Sequence, residues 1–148
     1  MDIQKFKDNI ELIYETGLVE FEELVAELVR NSVWNVSLTT QMIDRRYDIF
    51  ATKTDNIGEI TSIIEVKHYG RGKGRGRGRG IQIVRELYNV KYLLGVSQGI
   101  IVTSSTFTKE AKDFANSRYD ISLIDIETLK KLIIDYKPKK ETHHFFNQ

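Results

Sequence analysis

Beyond residue 80 the chain alternates between two kinds of apolar spacing, and this alternation narrows the possible folds more than any other feature. Over 81–96, Ile81, Val84, Leu87, Tyr88 and Tyr92 recur at three- and four-residue steps, the spacing of one helix face. Residues 99–103 then form a short continuous apolar run, as expected of a strand covered on both sides. Helical spacing returns over 108–117, with Thr108 as N-cap and Phe107, Ala111, Phe114 and Ala115 as the apolar set. A second apolar run at 121–126 leads into a helix over 127–136, stopped by Pro138. Strands joined through helices of this length pair in parallel, so the second half predicts a sheet layered between helices.

The first half has a different rhythm. Ile3, Phe6, Ile10 and Ile13 predict a helix ending near Gly17, and Phe21, Leu24, Val25, Leu28 and Val29 predict a second over 19–31. Residues 35–40, 46–53 and 61–69 are rich in strand formers, and Asp55-Asn56-Ile57-Gly58 has the composition of a hairpin turn. The expected fold is α/β: a mixed central sheet, an antiparallel meander plus parallel strands, flanked by helices. The expected organisation is an N-terminal accessory helix over 1–18, one domain over 19–137 with a flexible Gly/Arg insert at 70–80, and a polar tail over 138–148. Trp34 is expected in the core.

A chain of 148 residues, 41% hydrophobic, suffices for one buried core and is short for two. The absence of cysteine excludes disulfides and thiolate metal sites. Residues 1–17 mix charged with apolar side chains and no later apolar run reaches membrane-spanning length, so the expectation is a cytoplasmic protein without a membrane partner. Net charge is only +1, but Arg71, Lys73, Arg75, Arg77 and Arg79 are crowded into one stretch. Without those five, 17 basic residues face 21 acidic ones, a net of −4. A mildly acidic body with one cationic segment attracts polyanions.

On the strand over 61–69, side chains alternate faces, so Glu65 and Lys67 share one while Ile64, Val66 and His68 take the other. A hairpin of this length brings Asp48 beside Glu65. Two carboxylates and an ammonium at a sheet centre are costly to bury unless a cation bridges the acids. Mg²⁺ (or Mn²⁺) suits such a set: Asp48 and Glu65 as ligands, Val66 adding its backbone carbonyl, Lys67 orienting water or stabilising charge on phosphorus. An acid two residues before a lysine also commonly makes a plain surface ion pair, and the triplet alone does not choose between the two.

The order of the surrounding segments adds to this. Asp48 followed by Ile64-Glu65-Val66-Lys67 resembles the PD-(D/E)xK nuclease signature, and the flanking pieces resemble its Mrr-like restriction endonuclease branch. Those pieces are Phe21-Glu22-Glu23-Leu24-Val25, Asp44-Arg45-Arg46-Tyr47-Asp48-Ile49, Val84-Arg85-Glu86-Leu87, Gly99-Ile100-Ile101-Val102-Thr103-Ser104 and Ile121-Ser122-Leu123-Ile124-Asp125. The resemblance implies Asp48 and Glu65 as metal ligands, Lys67 as the catalytic lysine and Glu22 as a further acid of the site. It also implies a metal-dependent endonuclease that hydrolyses DNA, in restriction or defence against foreign DNA. The family often has two glycines where this chain has Arg45 and Arg46, and glutamine where it has Glu65.

Arg45 and Arg46 are candidates for phosphate contact, with ordinary solvent exposure the alternative. The cationic segment reads as an electrostatic arm over nucleic acid or as a spacer. Arg85 is a candidate phosphate contact from the following helix, with Gln82 one turn away; a plain surface position is its alternative. Thr103 to Thr106 end a strand where ligands often bind, yet such clusters usually cap helices. His143-His144 falls in the tail, and His68 points away from Lys67. Cutting both strands of DNA needs two sites, so a homodimer or larger assembly is expected. The competing functions are a non-catalytic nucleic-acid-binding or scaffold domain on the same fold, and an RNA nuclease, which the 2′-hydroxyl would decide.

Overall fold

The computed structural model describes residues 1–32, 34–38, 46–70 and 78–138, with backbone alone at 37, 38, 78 and 79. Five strands form one sheet in the order β1-β2-β3-β5-β7. They are β1 (Asn35–Leu38), β2 (Ile49–Thr54), β3 (Glu59–Lys67), β5 (Gln98–Thr103) and β7 (Ile121–Ile124). The first three are antiparallel neighbours, whereas β3–β5 and β5–β7 are parallel pairs joined through α3 (Ile81–Leu94) and α4 (Lys109–Asn116). The mixed sheet expected from the sequence is the observed one.

Alternation along the strands sends side chains into two cores. Ile49, Ala51, Ile64, Val66 and Val102 meet α2 (Leu18–Asn31) and α5 (Ile126–Asp135) on one face. Ile63, Ile101 and Ile121 meet α3 and α4 on the other. The molecule is therefore a sheet between two helical layers. Gly99 permits the closest approach of α3: an added Cβ there would lie 3.0 Å from Ile121 Cδ1 and 3.2 Å from Leu87 Cδ2.

Local chemistry sets the boundaries. In the β2–β3 hairpin Asp55 Oδ1 accepts from the N–H groups of Ile57 and Gly58 at 2.8 and 3.0 Å. Gly95 ends α3 in the left-handed region at φ 69°, where a side chain would be strained. Thr108 Oγ1 caps α4 by accepting from Ala111 N–H at 3.2 Å, as its position in the sequence suggests. Asp125 Oδ1 caps α5 through Thr128 N–H at 2.9 Å, so that helix begins at Ile126.

Two expectations are corrected. The first helix is broken: α1 (Gln4–Asp8) stops at Asn9, whose backbone is extended at φ −145° and ψ 92°, and a 3-10 helix, Ile10–Glu15, follows. The break lets Ile3 and Phe6 enter the same core as Ile13, Phe21 and Leu129, so this segment is integral to the packing. The end of the Gly/Arg stretch is likewise structured. Gly78 and Arg79 form β4, paired in parallel with β6 (Thr106–Phe107) as a separate two-stranded sheet. Residues 71–77 and the tail from 139, with His143 and His144, lie outside the described residues. Trp34 is partly buried against the α2/α5 core, with Lys53 Nζ 5.6 Å from its ring centre.

Candidate active site

Regular β2 pairing starts at Ile49, opposite Ile64. One residue earlier the chain leaves the ladder, and Asp48 fills the position with its side chain. Its N–H donates to Ile64 O at 3.0 Å, and its Oδ2 accepts from Val66 N–H at 2.7 Å. A carboxylate thus replaces the backbone carbonyl that a continuing strand would have supplied to β3. The N–H and C=O of a strand residue point to the same side, so the Val66 carbonyl also opens toward Asp48. Held near the sheet plane, the Asp48 carboxylate is within electrostatic reach of Glu65 and of Glu22 on α2.

Glu65 and Lys67 share the α3-facing side of β3, with Lys67 Nζ 3.2 Å from Glu65 Oε1. Burial and then the Asp48 charge push the Glu65 carboxyl up to about 7, against the pull of Lys67. Glu22 is raised as well, first by burial and then by Asp48. Negative charge is therefore under-compensated here even with the lysine present, which is the situation a bound cation relieves. Among the described residues no group of three or more His, Cys, Asp or Glu is placed to hold a metal ion together. Two carboxylates and one carbonyl, open to water and phosphate, nevertheless fit the partial protein shell that Mg²⁺ usually takes.

Beside this cluster a cleft of about 250 Å³ runs between β3 and α3, lined by Arg46, Glu65, Lys67, Ile83, Glu86 and Leu87. Arg46 is thus at the site, whereas Arg45, Arg71, Lys73, Arg75 and Arg77 lie outside the described residues. Arg79 is placed by its backbone in β4, at the entrance to α3. Arg85 is not at the cleft. Its guanidinium lies 5.9 Å from the Phe114 ring centre, on the α4 side. At 100° per residue, the helix face defined by Ile83, Glu86, Leu87 and Val90 lies roughly 150° around from Arg85. Glu86 occupies the wall that the sequence reading gave to Arg85, and Gln82 Nε2 donates to Glu86 Oε1 at 3.3 Å. Ile83, Leu87 and Val90 give an apolar row as regular as Ile81, Val84 and Tyr88, and spacing alone does not choose between them.

The other face of the strand end is clamped. His68 stacks on Phe21 with ring centres 4.2 Å apart, its Nε2–H donating to Thr16 O at 2.7 Å and its Nδ1 lying 2.9 Å from Ser104 Oγ. Burial lowers its pKa, opposed by the Thr16 bond. Ser104 Oγ also accepts from Tyr69 N–H at 2.7 Å, and Ser104 N–H donates to Lys67 O at 3.2 Å. Thr103 and Ser104 are buried and tie β3 to β5, whereas the buried Ser105 donates its N–H to Thr103 Oγ1 at 3.1 Å and with its carbonyl accepts from Ile126 N–H, at the start of α5, at 3.0 Å.

Comparison with known proteins gives the family and the fold. The family profile Mrr_cat, described as restriction endonuclease, matches residues 13–133. No curated protein matches the sequence significantly. Among solved structures, the DNA modification-dependent restriction endonuclease AspBHI superposes with a TM-score of 0.63 at 18% identity, over 89% of this chain and 35% of its own. MspJI, a restriction endonuclease solved with a 27-mer oligonucleotide, gives 0.57 at 15% identity, over 88% of this chain and 30% of its own. AF1548, a protein of unknown function, gives 0.57 at 19% identity, over 80% of this chain and 71% of its own. The chain thus spans about a third of AspBHI and MspJI, and it shares their fold. With a match covering most of its length and the restriction-endonuclease-like sheet beneath it, this chain belongs to the Mrr_cat restriction endonuclease family.

Proposed function

We propose that the protein is a metal-dependent endonuclease that hydrolyses DNA phosphodiester bonds, with its reaction centre at Asp48, Glu65 and Lys67. The observation that carries this reading is the Asp48 carboxylate bonded to Val66 N–H where β2 stops, beside a Glu65 whose carboxyl is raised by burial and by the Asp48 charge. Asp48, Glu65 and the Val66 carbonyl would hold Mg²⁺ or Mn²⁺, with Glu22 adding negative charge from α2. The ion would supply charge neutralisation on the phosphate and a lowered pKa for water.

The protein groups have separable roles. Lys67, held by Glu65 in the absence of substrate, turns to a non-bridging phosphate oxygen and stabilises the charge that grows as water attacks and the P–O bond breaks. Arg46 at the cleft rim takes a neighbouring phosphate and fixes the backbone's register. The Arg71 to Arg79 run adds sequence-independent, salt-sensitive attraction. DNA as substrate is supported by the family and by MspJI, whose structure contains an oligonucleotide. Double-strand cleavage then requires two copies of the site, in a homodimer or in a larger restriction or defence assembly. No helix among the described residues is long and apolar enough to cross a membrane.

Purified protein incubated with supercoiled plasmid should nick or linearise it in Mg²⁺ or Mn²⁺ and leave it intact in chelator. Asp48→Ala and Lys67→Ala should each lose cleavage by about a hundred-fold or more while still folding. Cleavage that persists in chelator, or in both variants, would refute the assignment. Activity on structured RNA but not on plasmid would redirect the substrate to RNA.

A further inference from the structure

α3 carries an exposed row of side chains outside the proposed reaction centre. Gln82, Glu86, Asn89 and Leu93 follow one another at four-, three- and four-residue steps, and all are exposed, Leu93 at 71%. At 100° per residue they span an arc of roughly 60°, one crest along the helix. The crest borders the cleft, because Glu86 lines it together with Arg46, Glu65 and Lys67. Gln82 Nε2 donates to Glu86 Oε1 at 3.3 Å, and Glu86 Oε2 has no partner among the described residues. Arg85 turns away over Phe114, so the crest itself holds no lysine or arginine.

Lysine and arginine hold the backbone of DNA, and a carboxylate beside a phosphate weakens binding. The deoxyribose-phosphate backbone only accepts hydrogen bonds, so a carboxylate laid against a duplex finds donors on base edges alone, in the major groove cytosine N4 and adenine N6. The side chains of the crest match those edges. Glutamate accepts from cytosine N4, glutamine and asparagine pair with adenine, and an apolar side chain meets the thymine methyl. A bridging cation is a poorer partner for Glu86, because the Gln82 amide already donates to Oε1. The major groove, about 12 Å wide, admits an α-helix. We propose that α3 is the base-reading helix of this nuclease. Its crest enters the major groove, the strand bordering that groove rests in the cleft, and Glu86 accepts from the N4 amino group of a cytosine at a fixed distance from the cut. The inference rests on the nuclease reading, and its test separates the two.

The probe is a pool of linear duplexes with a randomised segment. One portion is cut by the full chain in Mg²⁺ and its new ends are sequenced; from a second, the duplexes that the protein retains in chelator at low salt are sequenced. Cytosine should exceed each other base by about ten-fold at one position fixed relative to the cut, the share of one hydrogen bond to a charged group. Glu86→Ala should bring that ratio below about two-fold, and Glu86→Gln, which adds a donor, should move the preference toward adenine. The ratio is read within each digest, so a variant that is merely less active or less stable leaves it unchanged. Cutting without base preference, or with one that Glu86→Ala keeps, overturns the reading helix and leaves the nuclease reading intact. If the protein does not cut, the retained duplexes decide. A cytosine preference there that Glu86→Ala loses upholds the reading helix without the nuclease, and no such preference overturns both.

Discussion

At the scale of single residues the site depends on Asp48 standing in for backbone. That Asp48 would lie beside Glu65 was legible from strand alternation and hairpin length; that its carboxylate would accept Val66 N–H was not, because the loss of pairing before Ile49 leaves no trace in residue spacing. The consequence for Glu65 is measurable in metal-free protein. Its carboxyl titrates near 7 when folded against an ordinary 4.5, so between those pH values the folded state holds a proton that the unfolded state has released. Stability from this group is therefore lost as pH rises from 4.5 through 7. His68 acts in the opposite sense, since its lowered pKa destabilises the fold as pH falls below 6.5. Glu65→Gln isolates the first effect: in chelator it should match the unaltered protein near pH 4.5 and exceed it at pH 7.5 by on the order of 2 kcal/mol in urea unfolding. An equal difference at both pH values would contradict the assigned cause. Ser104→Ala should cost about 1–3 kcal/mol by the same measurement, because Tyr69 N–H and His68 Nδ1 lose their common partner inside the protein. A cost under about 0.5 kcal/mol would show that the clamp is dispensable.

At the scale of elements, helix and strand order was readable because apolar spacing reports which faces are buried, and the parallel half followed from the crossovers. What spacing could not settle was the rotation of α3 against the sheet. Arg85 and Glu86 are adjacent in sequence, and only the packing of Val84 and Leu87 shows that Glu86 faces β3 while Arg85 lies over Phe114. Arg85→Ala should therefore leave plasmid cleavage within about two-fold, whereas Arg46→Ala should raise KM with less effect on kcat. A large kcat loss in Arg85→Ala would place that side chain at the phosphate after all. The strand pair β4–β6 was equally invisible, since Gly78 and Arg79 have no strand propensity and gain their pairing from Thr106 and Phe107. The Asp125 cap escaped notice because that residue lies within an apolar run; Asp125→Ala should lower stability by about 1 kcal/mol in urea.

For the molecule as a whole, the three layers separate two tasks: the α3 side carries the cleft, and the α2/α5 side carries the larger core. The N-terminal segment belongs to the second task, with Phe6 fully buried, Lys7 Nζ bonded to Tyr136 O at 2.6 Å, and Lys5 paired with Glu20. Phe6→Ala should thus cost about 3–5 kcal/mol, a loss that an accessory helix would not impose. Periodicity alone could not show this, since a broken helix and a continuous one place apolar residues at similar intervals. The proposed chemistry requires one cation position, at the edge where β2 ends. The direct test is anomalous scattering from crystals soaked in Mn²⁺. The account predicts one peak within coordination distance of Asp48, Glu65 and the Val66 carbonyl, absent in Asp48→Ala; no peak there in well-diffracting crystals, or one bound by other residues, would contradict it.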